Sequence, residues 1–256
     1  MMYQIDYNSY RSVKSFNRRV CFLVMHYTAI DFKQSVAILT GTKVSAHYLV
    51  PDPLEKTYIE AGFKDMRIFN LVYENERAWH AGVSSWAGRS NLNDTSIGIE
   101  IVSVVTDDMN GMPIFPPYNP MQIDAVKELA LNILQRYPDI TPTNVVGHSD
   151  IAPDRKSDPG AAFPWKELYT VGIGAWYDDE LKNCYQAQFC KSLPVKADII
   201  AKFKRYGYDT SIVKTEGGYK ALIRAFQLHF RQNNYDGILD AETAAVLYAL
   251  VDKYFS

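Results

Sequence analysis

The chain has 256 residues, of which 47% are hydrophobic and 22% are charged, and its formal net charge is −2 at pH 7. This length and balance are typical of a globular protein with one large domain, or with a medium domain and a smaller one. The charge gives no support to nucleic-acid binding, which usually requires a basic surplus, and no run of about 18 apolar residues predicts a transmembrane helix.

Short apolar stretches rich in β-branched residues predict strands in the first half of the chain. The first stretch is a continuous apolar run that leads into His26, and Pro51 ends the second. The predicted strands cover residues 20–25, 44–50, 67–72, 96–102 and 145–146.

One long amphipathic helix is predicted before the last of these strands. From Pro120 to Tyr137 the apolar residues recur at spacings of three and four, and Pro138 ends the pattern. Strands that alternate with helices are typical of α/β proteins. We therefore predict an α/β domain over residues 1–178, with an N-terminal extension at 1–19.

The residues after Trp176 predict helices only. Residues 179–194 form a polar connector, which we interpret as a linker to a small helical domain at 195–256. The helical patterns in that domain cover residues 195–206, 217–232 and 240–254.

The three cysteines predict no disulfide framework, because their number is low and odd. Cys21 lies in an apolar run and is expected to be buried. Cys184 and Cys190 are close enough in sequence to pair if they are oxidised, and their spacing alone leaves this open.

The loop from Gly147 to Gly160 contains residue types that bind zinc. His148 and Asp158 are potential ligands, and Lys156 places a positive charge close to them. Two prolines predict an ordered loop here, and not the interior of a helix or strand. Loops on a rigid scaffold often carry catalytic groups.

His26 is a potential third ligand, because it ends the first predicted strand and His148 follows the last one. Taken singly, each histidine is explained more simply as a hydrogen-bonded, partly buried side chain. Together with Asp158, the two histidines predict a three-ligand zinc site with a position open to water, the arrangement of a catalytic zinc.

Glu100 interrupts the apolar strand predicted at 96–102. It is either a solvent-facing carboxylate on a half-exposed strand or a general base near a water activated by zinc. Lys156 is either an exposed loop residue or a cation that stabilises an oxyanion near the metal.

Three aromatic residues close to one another in sequence are candidates for the wall of a groove. They suit the faces of sugar rings, and each could equally pack in the core. They are Trp79, His80 and Trp86.

Five motifs occur in a fixed order along the first part of the chain. They are HYTA at 26–29, SAHYLV at 45–50, AWHAG at 78–82, NDTSIGIE at 93–100 and the loop at 147–160. In this order they resemble the zinc N-acetylmuramoyl-L-alanine amidases of the AmpD/AmiD kind, which share a fold with peptidoglycan recognition proteins and phage T7 lysozyme. Residues 195–256 resemble the helical peptidoglycan-binding domain found in AmiD-type members.

The resemblance implies a mixed central β-sheet flanked by helices and one Zn²⁺ bound by His26, His148 and Asp158. It also implies that Glu100 and Lys156 are catalytic, because they match the family's glutamate and lysine.

The implied substrate is the amide between the lactyl group of N-acetylmuramic acid and L-alanine, in peptidoglycan or in muropeptides. Ala46 stands where the T7-type enzymes have a tyrosine near the metal, so Glu100 is expected to be the main base. The motif residues expected to contact the substrate are Tyr27, Trp79, His80 and Asn93.

The cellular role stays open between three alternatives. The AmiD-like order of domains implies wall turnover in the bacterial envelope, since a wall-binding domain raises the local substrate concentration. The N-terminus shows no basic region followed by an apolar core, so no signal peptide is predicted, and this favours a cytoplasmic amidase that recycles 1,6-anhydro-muropeptides. A non-catalytic muropeptide-recognition protein is disfavoured, because the three potential ligands and Glu100 are all present.

Overall fold

The computed structural model describes residue 9 and residues 19–107, 109 and 113–256. The N-terminal extension predicted at 1–19 therefore lies outside the described residues, apart from Ser9 and Arg19. In chain order the strands are β1 (Phe22–Tyr27), β2 (Tyr48–Val50), β3 (Phe69–Asn70), β4 (Ser85–Trp86), β5 (Arg89–Ser90), β6 (Ser96–Ile101), β7 (Thr106–Asp107), β8 (Pro113–Ile114) and β9 (Val145–Gly147). The helices are α1 (Phe32–Leu39), α2 (Lys56–Glu60), α3 (Pro120–Arg136), α4 (His148–Ile151), α5 (Trp165–Thr170), α6 (Asp179–Phe189), α7 (Lys196–Tyr206), α8 (Glu216–Phe230) and α9 (Ala241–Phe255).

A mixed sheet of five strands forms the centre of the first part of the chain, in the order β3-β2-β6-β1-β9. β1 lies between β6 and β9 and is parallel to both, β2 is parallel to β6, and β3 is antiparallel to β2. β1 and β6 are almost wholly buried, which explains why parallel strands of this kind are continuous apolar runs in the sequence. The predicted α/β class is confirmed.

The strand register brings the candidate site residues to one edge of the sheet. His26 of β1 lies opposite Glu100 of β6, and Met25 lies opposite Gly147, the last residue of β9. Because parallel strands end at the same edge of a sheet, His148, which directly follows β9, lies at this edge too. Ligands usually bind at the carboxyl ends of such strands, so the candidate site residues lie where a binding site is expected.

α3 confirms the long amphipathic helix. Asn119 caps it by accepting a hydrogen bond from the backbone N–H of Met121 at 3.0 Å, and Pro120 occupies the first turn, where no N–H is needed. Its buried face packs on the sheet through Ile123, Val126, Ala130 and Ile133.

Some predicted elements have different limits in the structure. The strand predicted at 44–50 is reduced to β2, and that predicted at 67–72 to β3, because only these residues pair with a neighbour. The loop predicted from residue 147 begins with a single helical turn, α4. This turn forms because the Asp150 carboxylate accepts the backbone N–H of Gly147 at 2.7 Å.

The segment predicted as a linker contains helix α6. Asp178 caps it by accepting the N–H groups of Glu180 and Leu181, each at 3.0 Å. α6 packs on α9, where the Tyr185 ring lies 5.3 Å from that of Tyr248. The predicted helices at 195–206, 217–232 and 240–254 are confirmed as α7, α8 and α9.

The burial of Cys21 agrees with the expectation from the sequence. Cys21 is buried, whereas Cys184 and Cys190 are exposed at α6 and are not joined by a disulfide.

The sheet and the C-terminal helices share one hydrophobic core. Trp86, which is 1% exposed, packs between the two parts, with its ring 4.7 Å from that of Tyr208. Trp86 Nε1 donates to the carbonyl of Thr143 at 3.0 Å. Trp86 is therefore a core residue, so of the two alternatives left open for it the structure supports packing in the core and not the wall of a groove. Among the described helices, none is long and apolar enough to cross a membrane.

Candidate metal centre

Three buried side chains meet at the edge of the sheet with their ligand atoms equally spaced. His26 Nδ1, His148 Nδ1 and Asp158 Oδ2 are each 3.0 Å from the other two. Their side chains are at most 7% exposed. The structure thus brings together the three residues predicted as zinc ligands.

The triangle fits a tetrahedral metal ion. Ligand atoms about 2.0–2.1 Å from zinc in a tetrahedron are about 3.3 Å apart, close to the spacing found here. Two imidazole nitrogens and one carboxylate are also a ligand set that zinc takes when a fourth position stays open.

The protonation of these groups suits a metal. Burial, and then the neighbouring His148, lowers the pKa of His26 from 6.5 to about 4. Burial opposes ionisation of Asp158, but the adjacent imidazoles of His148 and His26 outweigh it and hold the Asp158 pKa well below its usual range. His26 is therefore neutral and Asp158 charged near neutral pH, which are the forms that bind metals.

His148 is oriented by a backbone carbonyl. Its Nε2 lies 3.1 Å from the carbonyl oxygen of Ala81, which can only accept, so in the neutral ring Nε2 carries the proton and Nδ1 has a free lone pair. Arg155 donates to the same carbonyl at 3.2 Å and fixes its position. Such contacts behind a ligand set its tautomer and its orientation.

A longer chain of hydrogen bonds orients His26. Ser96 Oγ donates to the carbonyl of Leu92 at 2.5 Å, so it accepts from His80 Nε2, 3.1 Å away. The unprotonated Nδ1 of His80 then accepts from His26 Nε2 at 2.9 Å. Because His26 donates through Nε2, its Nδ1 is left unprotonated and is directed at the candidate metal position.

Asn93 and Gly98 hold His80 in place. Asn93 Oδ1 accepts the backbone N–H groups of His80 and Ala81, at 3.0 and 2.7 Å. A Cβ atom at Gly98 would lie 2.5 Å from the His80 ring, so only glycine leaves room for that ring.

These contacts change two of the predicted substrate contacts. Asn93 is 5% exposed and does not line the cavity, so its predicted substrate-binding role is replaced by a structural one. His80 reaches the cavity wall but uses both ring nitrogens within the protein, and it positions His26. Ser96 is a functional residue that the sequence interpretation missed; its polar side chain at the start of an apolar strand was the available signal.

Glu100 lies beside the triad with one oxygen uncommitted. Its Oε2 is buried and has no hydrogen-bond partner among the described residues. Burial, and then the charge of Asp158, raises the pKa of Glu100 well above its usual range, while Lys156 lowers it. A buried carboxylate oxygen without a partner is costly, and a substrate, a water or a cation in the cavity would supply one.

Two of the three triad residues, His148 and Asp158, line a cavity of about 400 Å³. Trp79, which is 60% exposed, forms part of its wall, and the Arg77 guanidinium lies 4.8 Å from the Trp79 ring. Tyr27 reaches the same cavity, and its hydroxyl is 2.7 Å from Ser157 Oγ. The wall also includes Glu100, His148, Lys156 and Asp158.

Ala46 contributes no polar group to this cavity. It is fully buried in a second apolar cluster with Leu49, Tyr58 and Phe32. Glu100 is thus the carboxylate available for proton transfer beside the triad.

The chain matches one protein family over more than half of its length. Residues 16–161 match the family described as N-acetylmuramoyl-L-alanine amidase (Amidase_2). N-acetylmuramoyl-L-alanine amidase AmiD of Escherichia coli (strain K12) is 45% identical over 253 residues, which cover 98% of this chain and 89% of AmiD.

Two solved structures match both parts of the chain. AmpDh3 from Pseudomonas aeruginosa, in complex with anhydromuramic pentapeptide, superposes with a TM-score of 0.94 at 58% identity over 99% of each chain. AmiD from E. coli, in complex with the substrate anhydro-N-acetylmuramic acid-L-Ala-D-γ-Glu-L-Lys, superposes with a TM-score of 0.86 at 44% identity over 99% of this chain and 96% of AmiD. The arrangement of sheet and helices is shared with these proteins.

Proposed function

The chain belongs to the N-acetylmuramoyl-L-alanine amidase family, and from that premise we propose that it is a zinc-dependent member that acts on peptidoglycan fragments. The bond cleaved is the amide between N-acetylmuramic acid and L-alanine of the peptide stem. The observation that carries this proposal is that His148 and Asp158, which form a tight triangle with His26, line one cavity together with Glu100.

The residues proposed to hold Zn²⁺ are His26, His148 and Asp158, through Nδ1, Nδ1 and Oδ2. A zinc ion in an open three-ligand site supplies Lewis-acid activation of water and of a carbonyl group. The hydrogen bonds from His26 to His80 and from His148 to Ala81 keep both ligand nitrogens unprotonated for that ion.

Glu100 is the proposed general base. Its raised pKa makes it a stronger base than an exposed carboxylate, and the unpartnered Oε2 has a lone pair available. We propose that Glu100 accepts a proton from the attacking water and then transfers it to the departing amine of L-alanine. Proton transfer of this kind contributes about 10²–10⁴ to a rate.

Lys156 is the proposed electrostatic partner of the reacting amide. It lines the cavity in the loop between His148 and Asp158, and its charge acts on both Glu100 and His26. An ammonium group at this place stabilises the negative charge that develops on the carbonyl oxygen.

The exposed wall of the cavity is proposed to bind the substrate through Trp79 and Tyr27. The Trp79 ring, packed on Arg77, offers an apolar face to a sugar or to a peptide stem. Because the two superposed relatives were solved with anhydro-muropeptides, we include the 1,6-anhydro form among the proposed substrates.

Residues 195–256 are proposed to form a peptidoglycan-binding domain next to a catalytic domain at 1–178. Such a module increases the local concentration of a polymeric substrate. With the similarity to AmiD over almost the whole chain, this favours a role in wall turnover in the bacterial envelope.

The deciding experiment is a parallel digestion of intact sacculi and of soluble anhydro-muropeptides, with products identified by mass spectrometry. We expect free L-Ala-linked peptide stems from both substrates, and no release after chelation until Zn²⁺ is restored. His148→Ala is expected to bind no zinc and to release nothing. Full zinc occupancy in His148→Ala would exclude the proposed ligand set, and chelator-resistant release would exclude a zinc mechanism.

A further inference from the structure

The C-terminal helices reach the metal-binding loop through one buried carboxylate, that of Asp150. Asp150 is fully buried in α4, two residues after His148. Its Oδ1 accepts the hydroxyl of Tyr208 at 2.5 Å, and its Oδ2 accepts from His229 Nδ1 at 2.7 Å. Tyr208 follows α7 and His229 lies in α8, so both donors come from the helical C-terminal part.

We propose that Tyr208 and His229 are positioning residues for the metal centre, which act through Asp150 to hold α4 and therefore His148 in ligating geometry. On this view the helical part is a structural component of the metal site in addition to its proposed role in binding peptidoglycan. The inference rests on the ligand set of the proposed function.

α4 requires outside support because it consists of a single turn. A helix of this length is not stable alone, and its first N–H groups need acceptors. Asp150 Oδ2 supplies one acceptor to Gly147, and the backbone carbonyl of Asp158 supplies another to Ser149 at 2.9 Å. A shift of α4 would therefore displace two ligands, His148 directly and Asp158 through its backbone.

The carboxylate itself depends on its donors. A fully buried carboxyl group is costly unless both of its oxygens are hydrogen-bonded. Tyr208 is the donor to Oδ1, and His229 and Gly147 share Oδ2. Loss of the Tyr208 hydroxyl leaves Oδ1 without that donor, which favours a rotation of the carboxylate that weakens its bond to Gly147.

His229 has no other evident reason to be a histidine. Its ring stacks on Trp165 with centroids 3.8 Å apart, a contact that an apolar ring also makes. Its Nε2 is buried and has no hydrogen-bond partner within the described part of the chain, which is unfavourable. The bond to Asp150 is the contribution that requires an imidazole N–H here.

The test measures metal binding in the full chain with Co²⁺, whose visible absorption reports ligand geometry, and with Zn²⁺ by chelator competition. Tyr208→Phe keeps the ring against Trp86 and removes only the hydroxyl. We expect its metal affinity to fall about 10- to 100-fold, with an altered Co²⁺ spectrum. His229→Leu is expected to act in the same way. His229→Asn, whose amide N–H replaces Nδ1–H, is expected to restore part of the affinity.

Tyr206→Phe is the matched control, because that buried ring lies 6.2 Å from Tyr208 in the same core. We expect it to keep the wild-type affinity and spectrum. Wild-type values in Tyr208→Phe and His229→Leu would overturn the inference, and so would equal losses in Tyr206→Phe, which indicate general destabilisation. Failure of the wild-type protein to bind Co²⁺ would instead contradict the proposed ligand set.

Discussion

At the scale of single residues, the metal site depends on which nitrogen of each histidine carries the proton. The carbonyls of Leu92 and Ala81 can only accept, and they end the two hydrogen-bond chains behind the ligands. The donors and acceptors in each series of hydrogen bonds are therefore fixed, and both series leave Nδ1 of the neutral His26 and His148 rings unprotonated. The proposed ligand set is therefore organised by the protein's own hydrogen bonds.

The hydrogen bonds from Ser96 through His80 to His26, called the relay below, can be tested by substitutions of His80. His80→Ala removes the acceptor for His26 Nε2–H, so we expect zinc affinity to fall about 10- to 100-fold while the fold is kept. His80→Asn keeps an acceptor near the Nδ1 position and should lose less. Zinc affinity is measured by chelator competition. An unchanged affinity in His80→Ala would show that the relay does not orient His26.

Glu100 is expected to act in proton transfer and not in metal binding. Glu100→Gln keeps the shape of the side chain but cannot accept a proton, so the turnover of anhydro-muropeptide should fall by about 10²–10⁴. Its zinc content, measured by elemental analysis, should equal that of the wild type. Glu128→Gln, an exposed change in α3, is the control. Turnover near the wild-type rate in Glu100→Gln would remove Glu100 from the mechanism.

At the scale of elements, three residues that form or support the candidate site lie on one face of β6. Side chains alternate along a strand, so Ser96, Gly98 and Glu100 share a face. Ser96 bonds to His80, Gly98 leaves space for the His80 ring, and Glu100 enters the cavity. The sequence indicated that Glu100 was exceptional in an apolar strand, but the roles of Ser96 and Gly98 required the position of His80.

His47, immediately before β2, links the stability of this region to pH. It is fully buried, its Nδ1 accepts the N–H of Gly98 at 3.0 Å, and burial lowers its pKa from 6.5 to about 4 against the opposing effect of the Glu76 carbonyl. Between these two pH values the unfolded chain binds a proton that the folded protein does not. Stability from His47 is therefore present above pH 6.5 and is lost as the pH falls toward 4.

This predicts a measurable loss of stability in acid. Between pH 6.5 and pH 5 His47 alone should lower the free energy of unfolding by about 2 kcal/mol. Urea unfolding of the metal-free protein at several pH values measures this, and His47→Asn, which keeps an acceptor for Gly98, should show a shallower dependence. Parallel pH profiles for the two proteins would contradict the assignment.

At the scale of the whole molecule, the sheet and the C-terminal helices are joined by aromatic packing around Trp86. Gly207, with φ of 138°, approaches the Trp86 ring so closely that a Cβ atom there would lie 2.9 Å from it. Its carbonyl also accepts the N–H of Ala87 at 2.7 Å. The two parts are therefore expected to unfold together.

Two tryptophans provide a matched test of this shared core. Trp86→Ala leaves a cavity between the two parts and should lower the free energy of unfolding by about 3–5 kcal/mol. Trp79→Ala, at the exposed cavity wall, should change it by less than about 0.5 kcal/mol and should raise KM for muropeptides. Urea unfolding followed by circular dichroism measures both. A transition in two steps, with only the C-terminal helices affected by Trp86→Ala, would argue against a shared core.

The sequence by itself determined the α/β class, the long helix α3 and the C-terminal helices, and it singled out His26, His148, Asp158 and Glu100 as the candidate site. These are local signals: apolar periodicity, proline and cap positions, and ligand-type residues at the ends of strands. Tertiary structure decided which groups touch. These contacts join residues that are distant in sequence or belong to different elements. They are the packing of Trp86 in the core, the hydrogen bonds of Asn93, the bond between Ser96 and His80, and the bonds of Tyr208 and His229 to Asp150. Periodicity and composition carry no information about such pairs, because the contacts exist only after the sheet and the helices have packed.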